Sequence, residues 1–463
     1  MSYINLSNEG GVQYVSVLID PERVVNLVRL MFKDNARFKN GFVTRPGYSL
    51  FSAAVNSSIR GLSTTTDDQQ GYIVDGDKFY TCDTSGTRTE RGTLSTSTGY
   101  VDIIIGVDNV FINPTETSDG YVYIPSTTSF ATITDPDFPD LLKATYQTTF
   151  FVGIERNTGR FWHSANDDAS SWSATAFATA EYKPDNLVSI VSFDRNLYLF
   201  GEQSIEFWFT SNETFPFNLN DSTDIGCAAT DSVWWLGDYV YFLAQSQHGV
   251  GQIYRINNQF IPQKISTQII DTRLESFSDI SDCKTIGFTH DGNEIVIFSF
   301  PTANITMVYN ATTNSWSEWK DGAGNYYPFG LYMRLGNKHV IGSLTGGNLY
   351  QTNFTTSDDA GTDYSWQLIT PTIYAEGRYI TPDRLKLDCD DVVADGSDVL
   401  LKTSLDGGNI FDSGRTRTVS TGFALEWNMP SSSSYITYDI SGTSSTVHRL
   451  FNLSAEIAIG GYR

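Results

Sequence analysis

The sequence lacks any pair of cysteines spaced to grip a metal. Cys82, Cys227, Cys283 and Cys389 stand far apart with no C-x-x-C, so four free thiols are expected, buried as small apolar side chains in a reducing compartment. The five histidines (His163, His248, His290, His339 and His448) form no H-x-H and no H-E-x-x-H, which removes the zinc-hydrolase patterns. No G-x-S-x-G elbow is present, and glycine pairs such as Gly346-Gly347 lack the lysine and helix of a phosphate loop. There is no run of about 18 apolar residues, so no membrane-spanning helix is expected. Met1-Ser2-Tyr3-Ile4-Asn5 shows no basic region followed by an apolar stretch, so no signal peptide is expected either. Without one, the N-x-S/T sites at Asn212, Asn304 and Asn310 carry no weight. Helical periodicity is nearly missing. Its best instance, Pro21 to Lys33, fits a short helix about as well as an irregular strand.

Positive charge is also scarce. Thirty Lys and Arg stand against 53 Asp and Glu, a net charge of −23. Such a chain should not wrap nucleic acid, because phosphate contacts need cations to displace counterions. The acidity reads either as a soluble surface or, if the chain lines a conduit, as a wall that repels phosphates and lets DNA slide.

What the sequence has is strand-forming side chains. Aromatics make up 14%, with 25 Tyr, 29 Phe and 9 Trp, and flat or β-branched residues fit a pleated surface. After residue 45 a strand–turn–strand unit repeats. Gly71-Tyr72-Ile73-Val74 meets Lys78-Phe79-Tyr80 across Asp75-Gly76-Asp77, a strong hairpin signal. Similar units fall at Tyr100 to Ile112, Thr149 to Trp162, Leu187 to Gly201, Val233 to Leu243, Thr285 to Phe298 and Gly330 to Gly342. They begin roughly 30 to 50 residues apart, the spacing of propeller blades. The expected fold is all-β: a β-propeller over residues 46–355, six-bladed with seven as the alternative. A smaller β domain is expected over 356–463, completed by N-terminal residues, with 1–45 as a docking segment.

No catalytic constellation stands out. Two segments resemble Asp-box turns, Ser164 to Asp168 with Trp172, and Ser404-Leu405-Asp406-Gly407-Gly408-Asn409-Ile410-Phe411. Their carboxylates would accept backbone N–H groups and their aromatics would pack beneath a hairpin. Sialidase propellers carry such boxes, which raises a glycan-processing alternative, but the boxes are structural there too. Hydrolysis needs a carboxylate pair about 5 to 10 Å apart, and nothing singles one out. Asp388, Asp390 and Asp391 around Cys389 lack the spacing of a calcium loop. No catalytic, cofactor or metal residue is therefore nominated, and no cofactor is expected.

From Asp20 to about Phe329 the chain also carries an ordered series of motifs. Asn26-Leu27 and Arg45-Pro46-Gly47 come first, then Ala180-Glu181 and Pro184-Asp185-Asn186. Gly201-Glu202, Ile205-Glu206-Phe207-Trp208, Phe215-Pro216-Phe217 and Gly226-Cys227 follow. Leu236-Gly237, Ile253-Tyr254-Arg255, Ile265-Ser266-Thr267, Phe300-Pro301 and Val308-Tyr309-Asn310-Ala311-Thr312 with Trp316 complete it. In these segments the chain resembles the tail nozzle proteins of short-tailed bacteriophages, also described as packaged-DNA stabilisation or tail accessory proteins. The last hundred residues match weakly.

The resemblance implies a non-enzymatic virion protein, assembled in the host cytoplasm as a ring, a hexamer by family resemblance. It would sit below the portal and adaptor rings, support fibres or spikes, meet a plug or needle, retain the packaged double-stranded DNA and conduct it at ejection. A glycan-binding or glycan-processing propeller of a host-recognition appendage is the alternative. Six chains at −23 each would carry about −138, a field screened beyond about 8 Å and so felt only inside a bore.

Overall fold

The computed structural model describes residues 2–5, 23–34, 37–211, 213–246, 249–343, 345–356, 358–374, 378–389, 398–419, 424–429, 431–444 and 449–462. Asn212, His248, His448, Asp390, Asp391 and residues 20–22 lie outside them. The Cys389 side chain does too.

Strand follows strand, joined by tight turns, and they group into seven sheets of four. Blades 1 to 4 are contiguous, covering 59–93, 101–132, 141–179 and 187–223. Blade 5 covers 226–264, with its inner strand split into Gly226–Cys227 and Trp234–Leu236 by a 3-10 turn, Thr230–Ser232. Blade 6 covers 284–319. The inner strands, from Ile59–Thr64 to Phe329–Leu335, touch one another in cyclic order, and the last touches the first. Closure buries both faces of each blade. Tyr72, Phe79 and Tyr123 pack between blades 1 and 2, and Tyr198, Phe200, Phe207 and Phe242 between blades 4 and 5.

The count is therefore seven, not the six expected first. Blade 7 contributes only three strands from 329–353, and its outer strand is Gly47–Ser52, paired antiparallel to Leu349–Asn353. A reading along the chain leaves one strand over at each end, because the ring is closed by strands almost three hundred residues apart.

The rest is a β-sandwich. One sheet joins Leu27–Asp34, Arg37–Thr44, Arg449–Tyr462, Arg378–Cys389 and Ala424–Asn428, with Ser2–Asn5 on Arg449–Tyr462. The other joins Thr362–Ile369, Tyr435–Ser444, Asp398–Ser404 and Arg415–Thr418. Alternate residues point inward, so Trp366, Leu368, Leu385, Leu387, Trp427, Tyr438 and Ile440 form one core. The ambiguous stretch from Pro21 is strand where it is described, Arg23–Val25 and Leu27–Asp34. The structure also adds one α-helix of eight residues, Gln268–Glu275, between blades 5 and 6. It is too short for its periodicity to register. Thr267 caps it, its hydroxyl accepting from the Ile270 N–H.

Candidate functional site

The centre of the propeller is where a conduit or an active site would be sought, and it is filled by charge. Asp102 stands in an otherwise apolar inner strand of blade 2, Val101–Ile105. Its carboxylate takes Lys143 of blade 3 at 2.8 Å and the Ala144 N–H at 3.1 Å. The Lys143 ammonium reaches on to Asp231 of blade 5 at 2.7 Å. Asp231 also pairs with Lys284 of blade 6, and the Lys284 ammonium sits 3.6 Å from the centre of the Tyr100 ring, back at blade 2. Ser189 of blade 4 donates to the Thr230 carbonyl.

Contacts from blade 3 to 5 and from blade 6 to 2 cross the axis, so at this level the propeller has no open bore. Burial alone would raise the Asp231 carboxyl, but Lys143 and Lys284 outweigh it and hold it well below the ordinary range. Burial would likewise lower Lys143, and its two carboxylate partners hold it above the usual lysine range. At Asp102, by contrast, burial outweighs the pull of Lys143 and raises the carboxyl. Each carboxylate faces a lysine rather than an open cleft, which suits holding blades together and not attacking a glycosidic bond.

A second cluster locks sandwich to propeller. The buried Arg45 guanidinium meets Asp359 in a two-pronged ion pair, at 2.8 and 2.6 Å. Its Nε donates to the Asn26 side-chain oxygen and the Lys320 carbonyl, and it lies 3.7 Å from the Tyr364 ring centre. Asn26, with φ of 54°, accepts the Lys320 N–H at 2.7 Å and donates to the Ser365 carbonyl at 2.7 Å. One left-handed residue therefore ties blade 6, the closing segment and the sandwich. At Gly47 a Cβ would come within 2.4 Å of the Asp358 carbonyl, so no side chain fits. Pro46 accepts from Arg45.

Glu318 is the other rivet, fully buried and paired with Arg23 of the short strand between blade 6 and Thr362–Ile369, Arg273 of the helix and Lys320. Burial would raise its carboxyl, and the three cations hold it below the ordinary range.

The remaining motif positions do not converge on a pocket. They shape blades 4 and 5. Gly201 admits Asp185, whose carboxylate accepts the Gln203 N–H and the Ser204 hydroxyl. Glu206 is buried and accepts from the Tyr182 N–H and the Trp208 indole, with burial raising its carboxyl. Phe215 and Phe217 pack on Phe161 and His163, and the Pro216 carbonyl takes the Ser211 N–H. At Gly226 a Cβ would strike the Glu202 carbonyl at 2.1 Å. The Cys227 thiol donates to the Ala229 carbonyl. Gly237 sits at φ 56° in a hairpin turn, Arg255 lies over the Tyr239 ring, and the Ser266 hydroxyl accepts from Ile253 and donates to Asp271 of the helix. Cys82, Cys227 and Cys283 are buried free thiols.

Of the two turn motifs, Ser404, Asp406 and Gly408 share one hydrogen-bonded turn, and Phe411, half-buried, bridges back to Ser404. The Asp406 carboxylate accepts the Asn409 and Ile410 N–H groups, and the Ser404 hydroxyl accepts that of Gly408. In the other, Ser164 accepts from Phe151 and Trp172 is buried. Asp168 accepts only from Ser170, while Asp167 ties the turn to Val107 and Tyr146. Missed in the sequence were Asp102, Lys143, Asp231, Lys284 and Glu318. For three of them a signal existed, a lone charge set in an otherwise uncharged strand, as in Val101–Ile105, Leu141–Gln147 and Ser315–Trp319.

Among the described residues no group of three or more His, Cys, Asp and Glu could hold a metal ion, and no helix is long and apolar enough to cross a membrane. Solved structures that match in a structural comparison include the N-terminal domain of Nup159 (8% identity, 71% of this chain and 98% of that chain covered, TM-score 0.44). Another is a structure described as S. cerevisiae Dbp5 bound to Nup159, Gle1, IP6 and ADP (10% identity, 66% and 95% covered, TM-score 0.41). At these TM-scores no functional inference attaches to either. No curated protein matches the sequence significantly. A family model described as "Bacteriophage P22 Gp10, beta-propeller" matches residues 22–357.

Proposed function

The chain belongs to the phage-stabilisation family typified by the bacteriophage P22 Gp10 β-propeller, and from that membership we propose that it is the subunit of a tail nozzle ring. It is a structural phage tail protein. In the proposed assembly several copies, six by family resemblance, surround a bore that retains packaged DNA and conducts it at ejection. The ring docks on the adaptor of the portal complex, carries fibres or spikes, and meets a plug or needle. The sandwich, with N-terminal residues woven into it, is the proposed docking module.

The observation that carries this reading is the family match across the whole propeller, 22–357. The closed axis supports a bore between copies, since DNA has no passage through one subunit. The net charge of −23 supports a wall that repels phosphate.

Light scattering on the purified chain, alone and mixed with its adaptor ring, tests the reading. A sixfold mass, or a monomer that becomes sixfold on mixing, is expected. A monomer indifferent to every tail component would overturn it.

A further inference from the structure

On one face of the propeller, the turns of blades 4 and 5 leave a depression of about 730 Å³, within the range of small-molecule sites. Trp235 lines it with 56% of its surface exposed, although its neighbour Trp234 packs on Tyr332 of blade 7. The indole is thus not needed for the core. Around it stand Asp194, Asp238, Asn257, Asn258 and Tyr239, and no Lys or Arg lines the depression.

The surrounding groups are held in place. The Asn258 amide donates to Asp194 at 2.8 Å, and Tyr239 is backed by the Arg255 guanidinium at 4.2 Å. Asp194 and Arg195 are consecutive non-glycine residues at φ 46° and 65°, whereas the equivalent turn of blade 6 places Gly292 second. Two left-handed side chains in one turn are unfavourable, and the turn nonetheless presents the Asp194 carboxylate to the depression.

We propose that the Trp235 depression is a binding site for a neutral saccharide. A sugar ring has one face of C–H groups, which lies on an indole, and a rim of hydroxyls, which carboxylates and amides accept from and donate to. Two carboxylates with no lining cation disfavour phosphates, sialic acids and nucleic acid. Of the three lining aromatics, Phe193 packs on Tyr198 and Tyr239 packs on Tyr241 beneath Arg255, so the exposed Trp235 alone offers an open face, unlike the cage of several open faces that selects quaternary ammonium ions. The site stands on blade geometry alone and goes beyond the ring assembly proposed above.

Saturation-transfer NMR on the full chain with maltotriose, cellotriose, chitotriose, sialyllactose and choline tests it. At least one neutral trisaccharide is expected to bind, with sialyllactose and choline silent. Trp235→Ala and Asp238→Lys, both at exposed positions, should each weaken binding roughly tenfold or more with thermal unfolding and oligomeric mass unchanged. The proposal fails if no neutral sugar binds at millimolar concentration, if Trp235→Ala binds as the native chain does, or if choline or sialyllactose binds in preference. Oligomeric mass is read independently, so failure here leaves the ring assembly standing.

Discussion

Arg45 has no contact with water, so its charge persists only because Asp359, Asn26 and two carbonyls surround it. Removing one member of such a pair leaves the other charge stranded, which costs more than the intact pair contributes. Asp359→Ala is therefore expected to lower stability by about 3 to 5 kcal/mol in urea unfolding. Adding Arg45→Met should recover much of that loss, because the stranded charge is gone. A double variant no better than the single one would mean that Arg45 holds the joint through its other partners. Arg195 offers the opposite case, an exposed side chain at φ 65°. Arg195→Gly relieves the left-handed strain but adds freedom to the unfolded chain, so a net gain of about 0.5 to 1 kcal/mol is expected in the same assay.

At the scale of elements, the seam between blades 6 and 7 holds two histidines that titrate against the fold. His290 stacks on Phe354 at 4.5 Å with Asp291 3.5 Å from its Nε2, and His339 Nδ1 lies 2.9 Å from the Tyr332 hydroxyl. Burial, then His290 and Arg334, push the His339 pKa down to about 4; burial lowers His290 as well. The unfolded chain takes up the His339 proton near pH 6.5 and the folded chain only near 4. This contribution is thus complete above 6.5 and lost as pH falls toward 4, about 3 kcal/mol at most. His339→Gln should flatten that part of the decline in thermal melts between pH 7 and 4.5, and an unchanged slope would assign the acid sensitivity to other groups. Elements of this kind were legible in part. Hairpins such as Gly71–Asp75 with Lys78–Cys82 announce themselves through a turn and flanking aromatics. Blade 7 did not, because Gly47–Ser52 pairs with a strand remote in sequence and no local pattern encodes that partner. The helix at Gln268–Glu275 was hidden by its length. The axial ladder was hidden because Asp102, Lys143, Asp231 and Lys284 meet only when the ring closes, and a sequence shows each as an isolated charge.

At the scale of the whole molecule, a closed axis and an acidic chain constrain how DNA can be handled. The ladder from Asp102 to Lys284 crosses the centre of the propeller, so in the proposed ring a passage for DNA would run between subunits. The chain has 30 cations against 53 anions, and several of the cations are already committed. Arg45, Arg88, Lys143, Lys284 and Arg273 each face a carboxylate within the fold. The excess of 23 anions opposes the approach of a duplex and with it the counterion displacement that drives non-specific binding. Neither the chain nor the proposed ring is therefore expected to retard linear duplex DNA in a mobility assay, even at about 50 mM salt where such binding is strongest. Retention that fades steeply as salt rises would reveal a basic stripe brought together by assembly, and DNA would then be gripped by the bore. Absence of retention by a ring of confirmed mass would favour repulsion as the means by which DNA would pass through the proposed bore without adhering, since a field screened within about 8 Å acts only on a duplex already confined.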